Sequence, residues 1–235
     1  MRIMTVAYKE ERFLPKFIEY YKDKASEILV LNSTEPWFGE QTGVDNSAEI
    51  ARKLGASVVE YNWPTEQDQR NAGLEYFGDG WVIVLDPDEF IDNKNWEKLV
   101  ETLNNSPTEI NAYVVKRQFT YWKNGWVAHP PRDYKMLVAV RSPAKFIDKR
   151  VINEGFGVAP IDLHHFSWAR TDDEILNKIT HYAHAHDFNV KEWYEDVWKR
   201  WQLGVTDVHP VTPETLHHFI PANPPPEIER LHLWP

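Results

Sequence analysis

Gly80-Trp81-Val82-Ile83-Val84-Leu85-Asp86-Pro87-Asp88-Glu89-Phe90-Ile91 decides how the rest of this chain is read. Trp81 to Leu85 is an unbroken apolar run of strand length, rich in β-branched side chains, as a strand buried on both faces requires. Asp86, Asp88 and Glu89 follow within four positions. Open α/β sheets bind ligands just beyond the carboxyl ends of such strands. Negative charge gathered there repels itself unless a cation or a proton offsets it. Oxygen-rich clusters of this kind suit magnesium or manganese, with a substrate diphosphate completing the shell. The plainer alternative is a turn that caps the next helix, since Asp and Pro both favour turns. The buried strand before the cluster and Glu89 after it favour a metal-assisted site.

Outward from this stretch the chain alternates strand and helix. Ile3–Ala7, Ile28–Leu31 and Ser57–Tyr61 read as strands. Glu10–Lys24 carries Phe13, Leu14, Phe17, Ile18 and Tyr21 at helical spacing. Ser47–Leu54 is helical and stops at Gly55, and Glu66–Phe77 is a third helix. Strands and helices in alternation predict an α/β fold: a mostly parallel sheet, right-handed crossovers, helices on its faces. After Asp92 the rhythm changes. Asn95–Leu103 is helical, and Asn111–Tyr121 and Tyr134–Arg141 are strand-like on either side of the aromatic loop Trp122–Pro131, which predicts antiparallel additions. A C-terminal helix is expected from Thr171 to about Leu203, with Thr171 or Asp172 as N-cap and Glu174 in its first turn. The proline-rich tail 210–235 is expected to wrap the surface in extended form. The expected division is one domain over 1–170, with a nucleotide half (about 1–92) and an acceptor half (about 93–170), and a helix and tail (171–235) packed on it.

Composition narrows the function. The 235 residues are 42% hydrophobic and 26% charged, the profile of a globular chain with a real core. A net charge of −10 disfavours bulk electrostatic binding of nucleic acid, though not a local basic groove. The absence of cysteine excludes disulfides, thiolate metal sites and cysteine nucleophiles. Met1–Ala7 reads as a first strand rather than a signal peptide, no segment has the length of a membrane span, and a cytoplasmic location is expected. The eleven tryptophans serve packing or sugar and base stacking.

Four segments together resemble the family 2-like glycosyltransferases of the GT-A fold: Val6–Pro15, Gln69–Gly73, Asp86–Ile91 and His164–Trp168. The resemblance implies a glycosyltransferase that moves a sugar from a nucleoside diphosphate sugar to an acceptor hydroxyl with Mn2+ or Mg2+. It implies that Glu10 lines the nucleotide pocket, that Arg70 and Asn71 lie beside the diphosphate-sugar, and that Asp86 and Asp88 are the Asp-x-Asp pair. Asp88 would hold the metal, Asp86 would reach the ribose or a metal-bound water, and Glu89 would brace the sugar. Lys9 stands where asparagine is usual, and Asn32–Trp37 replaces an acidic base-contacting loop. On spacing alone Arg70 could equally pair with Glu66 one turn earlier. The family often completes its metal shell with a late histidine. Period-two alternation allows one of His164 and His165 to do so, and His165, with Ser167 on its side, is the expected ligand. His181, His184 and His186 make a poor metal set and are read as packing or solvated groups.

Inverting transfer needs a carboxylate base, for which Glu154 and Asp162 are the candidates. Trp122 and Trp126, with Lys123, His129 and Arg132, form an aromatic-basic loop suited to an acceptor, and Trp198–Trp201 is a second such cluster. A glycan is the expected acceptor, and hydroxymethylated pyrimidine in DNA the alternative. A nucleotidyltransferase would also place carboxylates at a strand end, but normally brings a glycine-rich loop after the first strand. A non-catalytic sugar-binding module would explain the tryptophans, but such modules are usually all-β.

Overall fold

The computed structural model describes residues 1–40, 43–133, 136–153 and 155–235. Strands β1 (Arg2–Ala7), β2 (Glu27–Ser33), β3 (Ser57–Tyr61) and β4 (Gly80–Val84) are parallel and lie in the order β3-β2-β1-β4. Helices α1 (Leu14–Tyr21), α2 (Ser47–Lys53) and α3 (Glu66–Phe77) connect them. The chain steps outward from β1 to β3 and then returns to the other side of β1 as β4. Connections therefore diverge between β1 and β4, and their carboxyl ends open a crevice. Helix α1 buries Leu14, Phe17, Ile18 and Tyr21, the face its periodicity predicts. Helix α3 lies so close to the sheet that a Cβ on Gly73 would stand 2.6 Å from Met4 Sδ and 2.8 Å from Leu31 Cδ1. That approach carries Arg70, one turn earlier, to the crevice.

Next come β5 (Glu89–Phe90), α4 (Asn93–Asn104), β6 (Ala112–Trp122), β7 (Trp126–His129) and β8 (Leu137–Ser142). The expected antiparallel addition is β8, which runs between β4 and β6 and joins the two halves of the sheet. The short hairpin β9 (Phe146–Asp148) and β10 (Val151–Ile152) follows, then β11 (Phe156–Trp168). Strand β11 spans 13 residues, parallel to β6 and antiparallel to β5. Its length is not legible in the sequence, because Gly157 and Pro160 interrupt its apolar run.

The single C-terminal helix expected to reach Leu203 is instead broken. Helix α5 (Asp172–His181) starts with a full capping box between Thr171 and Glu174. The chain then turns before α6 (Val190–Trp193) and a π-helical turn, Tyr194–Trp198. The break has a packing cause: Ile175 and Ile179 of α5 share a core with Trp193, Trp198 and Trp122, and one straight helix would hold Ile175 and Trp193 roughly 27 Å apart along its axis. The tail also departs from expectation. It adds β12 (His218–Pro221), antiparallel to β7, then α7 (Pro226–Glu229), and sends Ile228 and Leu233 into the main core. No helix among the described residues is long and apolar enough to cross a membrane.

Candidate active site

A cleft of about 1000 Å³ opens over the carboxyl ends of β1 and β4. Asp86 and Asp88 leave β4 in a tight turn. The Glu89 N–H donates to Asp86 O at 2.9 Å, and Glu89 Oε2 accepts from the Asp86 N–H at 2.9 Å. The turn read as the plainer alternative is thus present, and it is also what aims Asp86 and Asp88 at the cleft.

The crowded carboxylates are offset by cations of the chain itself. Arg70 Nη2 donates to Asp86 Oδ1 at 2.8 Å while its Nε donates to Glu66 at 2.8 Å, so the Glu66 pairing considered for this arginine is present beside a bond to the strand-end acid. Arg150 Nη1 donates to both oxygens of the fully buried Glu89, at 2.8 and 2.9 Å. Asp88 Oδ2 accepts from Arg170 at 2.8 Å and from Lys178 at 3.0 Å, and Arg170 reaches on to Glu10 at 3.1 Å. Burial pushes all four carboxyls upward. At Asp88, Lys178, His165 and Arg170 outweigh burial and hold the group well below the usual carboxylate range. At Asp86, Arg70 and Arg150 do the same. At Glu10 and Glu89 burial prevails over Arg170 and Arg150, and both are raised. The two aspartates are therefore the members most firmly held in the charged form.

Alternation along β11 separates the two histidines. His165 faces the cleft with Nε2 3.3 Å from Asp88 Oδ1, and Ser167 on the same side accepts from Lys178 at 2.9 Å. His164 turns to the core, where Nδ1 lies 2.8 Å from Tyr121 Oη and the ring stacks on Phe119. Asp88 Oδ1 and His165 Nε2 fit a divalent ion: a separation of 3.3 Å suits adjacent ligands of one ion at metal–ligand distances of about 2.0–2.2 Å. The Gln118 side-chain amide lies 2.8 Å from His165 Nδ1. With the amide oxygen turned to that nitrogen, Gln118 accepts the Nδ1 proton and leaves the Nε2 lone pair for a metal, the usual second partner of a ligating histidine. No set of three His, Asp or Glu ligands converges among the described residues. The remaining positions would fall to diphosphate oxygens and water, as magnesium sites commonly arrange.

Of the other residues singled out from the sequence, Glu10 lines the cleft with Arg70, Asp86, Asp88 and His165. Asn71 does not. Its amide bonds the Phe146 backbone in both directions, at 2.9 and 3.0 Å, and so anchors the β9–β10 hairpin to α3. Glu89 sits beneath the cleft floor, engaged with Arg150 and with no surface exposed. Asp162 takes a bidentate pair with the half-exposed Arg117, at 2.8 and 2.7 Å, away from the cleft. Glu154 lies outside the described residues. Trp122 is fully buried against Trp168, Trp198, Trp201 and Phe219, and Trp126 packs on Trp201. Lys123 caps this group, its Nζ donating to Trp198 O at 2.5 Å. The tryptophans of the two clusters pack into one core rather than standing out as stacking platforms.

Sequence reading missed Arg150, Arg170 and Lys178. Arg150 and its neighbour Lys149 form the turn of the β9–β10 hairpin. A charged pair between the short apolar runs Phe146-Ile147 and Val151-Ile152 was the available signal. Lys178 follows the capping Thr171 by two helical turns, which directs it back over the strand end. Nothing local marks Arg170.

Residues 3–176 match the family model described as glycosyl transferase family 2. A TPR repeat-containing protein of Synechococcus elongatus is 26% identical over 119 residues, 50% of this chain, which spans only 27% of that relative's length. Solved structures of glucosyl-3-phosphoglycerate synthase from Mycobacterium tuberculosis share 18% identity over 53% of this chain and 44% of theirs, with a TM-score of 0.39; one holds Mn2+, UDP and glucosyl-3-phosphoglycerate, another Mg2+ and UDP. With the family model matched over most of its length, the chain belongs to glycosyl transferase family 2.

Proposed function

We propose that the chain transfers a sugar from a nucleoside diphosphate sugar to an acceptor hydroxyl, with a divalent cation held by Asp88 and His165. The observation that carries this reading is convergence. Asp86 and Asp88 from β4, Arg70 from α3, His165 from β11 and Lys178 from α5 meet at one crevice between the divergent strands. Bound there, Mn2+ or Mg2+ would act as a Lewis acid on the departing diphosphate. Arg70 and Lys178 add fixed positive charge at the same place. Arg70 Nη1, Arg150 Nε and Arg170 Nε are buried N–H groups with no partner among the described residues, the donors an oxyanion would satisfy. Glu10, after β1, faces the nucleotide side. Glu154 is the candidate base for an inverting reaction.

The aromatic clusters that favoured a DNA acceptor are taken up by the core, so a saccharide or small hydroxyl compound is the acceptor this reading favours. The test is a thermal-shift screen of UDP, GDP, ADP, CDP and their sugars, each with and without manganese. Stabilisation that needs both nucleotide and metal supports the proposal. A chain that answers to free sugar without metal is a binding module, and one that answers to none of the nucleotides is not a transferase of this kind.

A further inference from the structure

Charge in the cleft lining is uneven along the sequence. Among the described residues lining the cleft, those before position 91 supply seven acids and three cations; those after it supply five cations and one acid. The single late acid, Glu174, is engaged by Arg12 and by the Thr171 N–H at the rim. Arg150, Arg170 and Lys178 bond the strand-end acids, whereas Arg132 and Lys149 line the cleft around His184 and His209. Arg132 is fixed by a two-way backbone bridge to Gln118, 2.9 Å each way, beside the metal-facing His165. Lys149 is held at the hairpin turn with φ of 30°, a conformation that non-glycine side chains adopt rarely and that gathers at functional sites. Its Nζ lies 3.1 Å from His184 Nδ1, an atom already engaged by Asp187 at 2.5 Å.

His209 completes this part of the lining. Its Nδ1 accepts from the N–H groups of Val211 and Thr212 at 3.2 and 3.0 Å, which leaves the proton on Nε2 as a donor. Burial, and then Arg132, His184, His165 and Lys178 around it, push its pKa down to about 3, so at neutral pH it is an uncharged N–H donor in positive surroundings. In a chain of net charge −10, two cations beside a neutral N–H donor make a local attraction for an anion at this part of the cleft.

We propose that this part of the cleft is the acceptor subsite and that it selects an acceptor carrying a phosphate or a carboxylate, held by Arg132, Lys149 and the His209 Nε2–H. The inference rests on the donor reading above for which part of the cleft faces the acceptor. It is tested by calorimetry on the full chain in saturating UDP and manganese, so that the donor's phosphate positions are filled. The probes are glucose, glucose 6-phosphate, glucuronate and inorganic phosphate. Binding by at least one anionic probe, at least tenfold tighter than glucose, is the expected result. Lys149→Gln and Arg132→Gln each weaken that binding at least fivefold, and Lys149→Arg restores it, with unliganded melting temperature as the check on folding. Glucose binding as well as its anionic counterparts, no anion binding, or an anion expelled by UDP each overturns the proposal. UDP and manganese titrated alone on the same samples keep the two readings apart. Loss of the nucleotide response with the anion response intact sinks the donor reading, and the reverse sinks this one.

Discussion

The two walls of the cleft are built on opposite principles. The first is local: β1 to β4 and their helices come from consecutive segments, and its acids sit at strand ends where a doubly wound sheet must present them. The second is assembled from distance. Arg150 comes from a hairpin, His165 from a strand parallel to β6, Arg170 from just beyond that strand and Lys178 from a helix. The first wall supplies recognition chemistry in concentrated and self-repelling form. The second makes that concentration tolerable. Asp88, with 3% of its surface exposed, stays ionised because Arg170 and Lys178 reach it across more than eighty positions of sequence.

The division can be broken in several ways. The largest expected effect lies outside the cleft. Trp122→Ala removes the centre of the aromatic core and should cost about 3–5 kcal/mol in denaturant unfolding. A variant that keeps its stability and loses only acceptor affinity would return Trp122 to the site. Asp88→Asn removes the carboxylate on which the distant cations converge, and should lower kcat/KM by about 10²–10³-fold, the scale for losing one transition-state electrostatic contact. A loss below tenfold in steady-state assays would make Asp88 dispensable.

A pH series sharpens the same point. Asp86 and Asp88 are lowered in the folded state, so the unfolded chain binds more protons as pH falls. Their stabilisation is present above about pH 4, the ordinary carboxylate value, and is lost as pH falls through their folded values. Asp88→Asn should therefore flatten the fall of stability below about pH 4 relative to wild type; parallel acid limbs would mean that Asp88 is not held by its partners. The smallest effect is expected at Asp162. Asp162→Asn breaks a surface pair with Arg117 and should cost under about 1 kcal/mol with kcat/KM within about twofold. A thousandfold drop in turnover would make Asp162 the base after all.

How much of this was legible follows the same division. Helical and strand periodicities recovered β1 to β4 and α1 to α3 to within a few residues, because each element buries a face its own sequence marks. The strand-end carboxylates, and which of His164 and His165 faces the cleft, were legible for the same reason. The long β11 was not, since Gly157 and Pro160 mask it and only pairing with β6 on one side and β5 on the other makes it a strand. The break after His181 was hidden because helical periodicity continues through residues whose packing demands two different axes. Trp122 and Trp126 suggested an acceptor platform, and their loop composition alone could not reveal that Trp198 and Phe219 pack on Trp122 and that Trp201 packs on Trp126. Arg170 was invisible for a simpler reason: a lone arginine after a strand carries no pattern, and its partners Glu10 and Asp88 are distant in sequence.

The central claim is that the strand-end carboxylate and the β11 histidine hold a divalent ion against a nucleoside diphosphate. Calorimetric titration of UDP, with and without Mn2+, into the wild-type chain and His165→Ala addresses it most directly. The account predicts at least tenfold tighter UDP binding with Mn2+ in the wild type and no effect of Mn2+ in His165→Ala. Nucleotide binding that is equally tight with and without the metal, or a metal effect that survives the loss of His165, would contradict it.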